Sequence, residues 1–151
     1  MKAITYLQFD GKAEEVLTFY EKALQATDVK IVRFGAFGQD PNAPLSEEEQ
    51  NMIMESRIEF SGNILMISDV LPFMLSVTGE IIKGNTALIS IIDADPKMNQ
   101  QIFEVLSEGG TVIMPLSSTP WSESFGMLVD KFGVMWKFNS DASKFLNHFV
   151  S

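Results

Sequence analysis

The chain has 151 residues, 46% hydrophobic and 21% charged, with 11 Lys+Arg against 20 Asp+Glu, no cysteine and one histidine. A chain of this length can bury about two-thirds of its unfolded surface, as one domain or two small ones; lacking Cys, it has no disulfide, thiolate metal site, iron–sulfur cluster or cysteine nucleophile. One histidine removes any site built on two imidazoles, and a net charge of −9 works against a nucleic-acid partner, whose phosphates are held by Lys and Arg. Neutral and cationic small ligands stay open.

The first ten residues alternate in polarity and reach Asp10 without the apolar run of a signal peptide, which predicts a strand over 3–9. A helix follows, with Val16, Leu17, Phe19, Tyr20, Ala23 and Leu24 on one face and Asp10 as its N-cap. Strands are predicted over 28–36, 53–61 and 63–69, the last two separated by the turn Ser61-Gly62-Asn63. The segment 38–50, with Pro41, Pro44 and the run Glu47-Glu48-Glu49, reads as an exposed loop or short helix. The stretch Val70–Val77 is broken by Pro72 and Ser76 and falls far short of the ~20 residues a membrane span needs, so a soluble cytoplasmic protein with no membrane partner is expected. Its loop, Val70 to Leu75, is too apolar to lie bare.

Past Gly79–Asn85 a strand is predicted over 85–92. The second helix has Asp95 as cap, Pro96 at its first position, Met98, Ile102, Val105 and Leu106 on its apolar face, and a stop at Gly109-Gly110. Strands over 110–115, 124–131 and 133–139 close the pattern, with a turn at Phe132-Gly133. The tail 141–149 carries Phe145, Leu146 and Phe149 and reads as a short helix docking on the body or on a partner subunit.

The order strand, helix, three strands therefore occurs twice. A shift of 83 lays Asp10, Tyr20 and Glu21 on Asp93, Phe103 and Glu104, and a shift of 71 lays Ile58, Glu59, Gly62, Ile64 and Ser68 on Val129, Asp130, Gly133, Met135 and Asn139. The 12-residue difference is the extra length of segment 38–50. The fold class is α+β: two tandem βαβββ repeats, about 3–75 and 84–140, in a single domain. They are expected to form a curved, mostly antiparallel sheet with helices on its outer face and a concave cleft on the other, where ligands bind.

This plan, with Tyr6-Leu7-Gln8-Phe9-Asp10-Gly11-Lys12-Ala13-Glu14-Glu15 leading into Phe19-Tyr20, resembles the glyoxalase, bleomycin-resistance and extradiol-dioxygenase (vicinal oxygen chelate) superfamily. Within it the chain is most similar to the PhnB-like branch, on Leu65-Met66-Ile67-Ser68-Asp69, Pro72, Pro120-Trp121, Phe125-Gly126 and Asp130 to Asn139. That branch is sometimes labelled demethylubiquinone methyltransferase-like, but no Gly-rich loop here follows a strand and opens a helix to hold S-adenosylmethionine. The resemblance implies metal-ligand positions at Ile4 or Thr5, about Met66, near Leu88 and at Lys137, none of which suits a divalent ion. No metal and no cofactor are expected. The resemblance also implies a homodimer.

Among individual residues, His148 lies in the tail, away from the strands. Glu55, Arg57 and Glu59 project from one strand face, as an ion-pair ladder or as cleft groups. Asp130, laid on Glu59 by the repeat, would then face it and the two carboxylates could supply a base. Trp136 reads as core with Val134 and Phe138, leaving Met135, Lys137 and Asn139 for the cleft, while Trp121 sits in a polar loop where core packing explains it less easily. The expected ligand-binding residues are Tyr6, Gln8, Glu59, Trp121 and Lys137, and the expected ligand is a small organic molecule, cationic or amphipathic, held without a metal. The alternative is a metal-dependent lyase, isomerase or dioxygenase of the glyoxalase type.

Overall fold

In a computed structural model that describes residues 1–149 apart from the Phe149 side chain, the chain divides between Ile82 and Lys83 into two units. The first contains β1 (Thr5–Phe9), α1 (Ala13–Ala23), β2 (Asp28–Arg33), α2 (Glu47–Asn51), β3 (Ile53–Phe60), β4 (Asn63–Asp69) and α3 (Pro72–Thr78). The second contains β5 (Ile89–Ile92), α4 (Pro96–Ser107), β6 (Thr111–Thr119), β7 (Ser122–Val129), β8 (Met135–Asn139) and α5 (Ala142–Phe149). The sheets have the same plan, β1-β4-β3-β2 and β5-β8-β7-β6, each with one parallel pair, β1 with β4 and β5 with β8, and otherwise antiparallel pairing. The twofold βαβββ plan read from the sequence is present.

Each helix covers one face of its own sheet, α1 packing on β3 and β4 and α4 on β6 and β7. All six apolar residues assigned to α1 are buried, as a 3.6-residue period requires. Its N-cap differs from expectation. Asp10 is exposed and the cap position falls to Lys12, whose side chain makes no capping bond. The Ala13 N–H instead donates to Asp69 Oδ1 at 3.0 Å. The other Asp69 oxygen accepts from the Ile53 N–H at 2.9 Å, so one buried carboxylate fastens the ends of α1, β3 and β4. No local sequence signal reveals a cap that arrives from so far along the chain.

Asp95 caps α4 as expected, accepting from the Met98 N–H at 2.8 Å, with Pro96 in the first turn. The buried face of α4 is rotated from the expected one: Asn99 and Phe103 join Ile102 and Leu106 in the core, while Met98 and Val105 are half-buried. A shift of 83 puts Asn99 where Val16 stands in α1. The amide is fully buried and neither of its polar atoms has a hydrogen-bond partner among the described residues.

Other boundaries move for local reasons. β2 ends at Arg33, where the register with β3 shifts and residues 34–37 form a 3-10 turn; the Arg33 guanidinium turns to Glu14, at 2.8 and 3.1 Å, and to the Asn51 carbonyl at 2.7 Å. Segment 38–50 leads into α2, a short helix closed by a capping box between Ser46 and Glu49, with its acids in the first turn where the helix dipole favours them. The apolar loop expected at 70–75 is instead the start of α3, since Pro72 fits a first helical turn. Val70 and Leu71 are buried beside it, but Phe73 and Val77 are 59% and 78% exposed. β5 starts only at Ile89, and β6 runs on to Thr119. Among the described residues no helix is long and apolar enough to cross a membrane.

Candidate functional site

Packing helices on one side leaves the opposite face of each sheet uncovered by its own unit's helix. In the first unit, Leu65, Ile67, Ser56 and Ile58 are buried on the helix side, so Tyr6, Gln8, Met66, Arg57 and Glu59 alternate onto the other. The register fixes their neighbours. One row across the four strands reads Tyr6, Met66, Arg57, Lys30, and the row beyond Glu59 reads Ile64, Glu59, Asp28. A third joins Gln8 to Ser68 in β4. Tyr6, Gln8 and Glu59 therefore share one face, as expected.

The Tyr6 phenol lies near Ser68 and Glu55, and both act on its proton. Burial pushes its phenol above the ordinary value, the nearby Ser68 hydroxyl offsets part of the rise, and the neighbouring Glu55 carboxylate adds to it. The phenol is thus a neutral hydroxyl at physiological pH. Glu55 and Ser68 join Tyr6 here, although the sequence offered Glu55 only as part of a ladder and Ser68 only within the repeat alignment and a family motif. Arg57 forms part of that ladder, with Asp28 where Glu55 was expected. Its guanidinium pairs with Glu59 at 2.8 Å and Asp28 at 3.6 Å, while its Nε is buried with no acceptor among the described residues. With Glu55, Glu59 and Asp28 against Arg57 and Lys30, acids outnumber bases on this face.

In the second unit Trp136 and Phe138 are fully buried on the helix side, which turns Lys137 outward between Ser90 and Met127, with Met114 beyond. Lys137 Nζ lies 5.9 Å from the Phe125 ring, a cation–π distance. The same ring meets Trp121 edge-on at 6.0 Å. Phe125, which the sequence offered only as a family motif, links these two expected site residues. Asn139 is not available to a ligand: it is buried, and its side-chain oxygen accepts from the Asp141 N–H at 3.1 Å.

Asp130 is not a base facing Glu59. Its buried carboxylate accepts from the Phe132 N–H at 2.9 Å, the Val134 N–H at 3.0 Å and the Trp136 indole N–H at 2.9 Å, so it holds the β7–β8 turn. The repeat alignment had slipped there. β3 pairs Arg57 with Met66 and β7 pairs Met127 with Lys137, so the second turn is one residue longer and the counterpart of Glu59 is Val129. A one-residue slip moves every side chain to the opposite face, which is why Asp130 points inward.

Trp121 lies in the tight turn between β6 and β7, 44% exposed, and lines a cavity against α5 together with Glu123, Lys144, Phe145 and His148. It shares no sheet face with Tyr6, Gln8 and Glu59. The positions where the family resemblance implies metal ligands offer an alkyl or hydroxyl group at Ile4 or Thr5, a thioether at Met66, an exposed alkyl group at Leu88 and an ammonium at Lys137. That donor set does not fit a hard divalent ion, and among the described residues no three of His, Cys, Asp and Glu gather where a metal could sit.

No family model matches the chain. It is 30% identical to protein PA1353 of Pseudomonas aeruginosa, whose crystal structure aligns over 92% of this chain and 96% of that one with a TM-score of 0.74. A PhnB protein of Bacillus cereus, which also carries the name 3-demethylubiquinone-9 3-methyltransferase, is 25% identical over 92% of this chain and 98% of its own, with a TM-score of 0.67. Protein YjdN of Escherichia coli K12 is 26% identical over 140 residues, 89% of this chain and 91% of that protein.

Proposed function

Because the chain belongs to the PhnB-like branch of the glyoxalase, bleomycin-resistance and extradiol-dioxygenase superfamily, we propose that it binds a small cationic or amphipathic organic molecule, without a metal, on the open face of its first sheet. The observation that carries this reading is the register that puts Tyr6 beside Met66, Gln8 beside Ser68, and Glu59 in the row next to Tyr6, all on one open face, with Glu55 near the Tyr6 phenol. That face supplies a neutral hydroxyl donor and acceptor beside carboxylates in excess over cations. Half-buried Met66 and Ile64 give the same face an apolar floor that adapts to shape. An ammonium group would sit against the Tyr6 ring and the Glu55 and Glu59 carboxylates, with its apolar part across Met66.

The protein is proposed to act in the cytoplasm as a homodimer, and the exposed Phe73 and Val77 of α3 fit burial against a second copy. A thermal-shift screen of chelator-treated protein against quaternary and primary ammonium compounds, led by benzyltrimethylammonium, tests the function. Stabilisation that survives chelation and is lost in Glu59→Gln supports it. Silence across the screen, or binding or turnover that appears only after Mn²⁺ or Zn²⁺ is added, overturns it, the latter in favour of a metal-dependent enzyme of the glyoxalase kind.

A further inference from the structure

The cavity against α5 lies wholly within the second unit and shares no residue with the first-sheet site proposed above; of the expected ligand-binding residues it holds Trp121. Its volume is about 400 Å³, and its walls are Thr119, Trp121 and Glu123 from the β6–β7 hairpin and Lys144, Phe145 and His148 from α5. That volume falls in the roughly 300–1,000 Å³ range of small-molecule sites, toward its lower end.

The walls are fixed by two carboxylates that hold the start of α5. Asp93 accepts from the Ser143 N–H at 2.9 Å and from the Ser143 hydroxyl. Asp141 accepts from the Glu123 N–H at 2.8 Å and the Ser140 hydroxyl at 2.7 Å, and pairs with Lys144 at 3.6 Å. These bonds hold both carboxyls below the ordinary range, so α5 is fastened to the hairpin at neutral pH.

The local charges leave one group over. Lys144 is matched by Asp141, whereas the Glu123 carboxylate has no hydrogen bond or ion pair among the described residues. Beside it stand two aromatic side chains, Trp121 and Phe145, 44% and 40% exposed. A large exposed indole next to an unmatched carboxylate, inside a concavity, is the arrangement that recognises an organic cation: the ring faces attract its charge and the carboxylate takes its N–H. Cavity size favours a single ring with a short amine arm.

We infer that the cavity bounded by Trp121, Glu123 and Phe145 is a second small-molecule site, independent of the open sheet face, that takes an aryl-alkyl ammonium. Its two tryptophans let the protein report on this directly. Trp121 lines the cavity, and Trp136 is fully buried with its indole N–H on Asp130, so one indole proton resonance senses the site and the other senses the fold.

The test is titration of the ¹⁵N-labelled full chain with 2-phenylethylamine, with neutral 2-phenylethanol as control. The expected result is a saturable shift of the Trp121 indole cross-peak, an unmoved Trp136 peak, about tenfold weaker binding at the Trp121 peak in Glu123→Gln, and the same titration of the Trp121 peak in Glu59→Gln, whatever the sheet face binds. An unmoved Trp121 peak overturns the inference, as does equal binding of the alcohol or an affinity insensitive to Glu123→Gln. Loss of binding in Glu59→Gln with Glu123→Gln unaffected also overturns it, and would assign the amine to the sheet face instead. Retention of the Trp136 resonance in each variant shows that the fold is intact.

Discussion

Across the open face of the first sheet one row runs Lys30, Arg57, Met66, Tyr6, and across the second the equivalent row runs Met114, Met127, Lys137, Ser90. The next row changes from Asp28, Glu59, Ile64 to Thr111, Val129, Met135. One repeat presents a charged ladder with a phenol at its end, the other methionines and a single lysine resting on Phe125. The helix-facing sides diverge far less. Leu65 and Ile67 give way to Trp136 and Phe138, and Ile58 to Leu128, all buried and apolar. Packing against a helix restricts a position to apolar shapes of suitable volume, whereas an open face carries no such requirement and is free to be shaped by what it contacts. The difference between the two open faces is therefore where function is to be sought.

The contrast is broken most forcefully by exchanging the two acids that the repeat had wrongly equated. Asp130→Asn puts an amide where three N–H donors converge and is expected to cost about 3 kcal/mol of stability in urea unfolding. Glu59→Val, which copies the second unit's residue, should change stability by less than about 0.5 kcal/mol. Comparable losses in the two variants would erase the distinction between packed and open sides.

A smaller effect, of opposite sign, is expected in α4. Asn99 occupies the position of Val16 with its amide buried and unpaired among the described residues, so Asn99→Leu, of similar size, should raise stability by about 1–2 kcal/mol. A destabilised variant would mean that the amide has a partner, such as an internal water.

The smallest effect concerns pH. The Arg33 guanidinium holds Glu14 below its ordinary value, and hydrogen bonds do the same for Asp93 and Asp141. Carboxyls depressed in the folded state bind fewer protons than in the unfolded chain, so their contribution is complete above the unfolded value and is lost as pH falls from about 4 downward. Glu14→Gln should cost less than about 1 kcal/mol at pH 7, because the pair is exposed, and should flatten the decline in melting temperature between about pH 4 and pH 3. An unchanged pH profile would remove Glu14 from the account.

Much of the architecture was legible because period and repeat agreed: α1 lies where its apolar residues recur, and Asp95-Pro96 opens α4. What failed depended on partners distant in sequence. The cap of α1 comes from Asp69, β2 stops where its register with β3 shifts at Arg33, and the face taken by Asp130 turned on one extra residue in a hairpin. Tyr6, Gln8 and Glu59 could be placed together because alternation within strands is local. Glu55 and Ser68 joined Tyr6 only through cross-strand register, and Phe125 connected Trp121 to Lys137 only through ring contacts that no spacing encodes.

Isothermal titration of chelator-treated protein with benzyltrimethylammonium, for wild type and Glu59→Gln side by side, tests the central claim most directly. Saturable binding by the wild type, about tenfold weaker in the variant, is the result expected of an acidic open face that holds an organic cation unaided by a metal. No heat of binding at millimolar ligand, or identical isotherms for the two proteins, would contradict it.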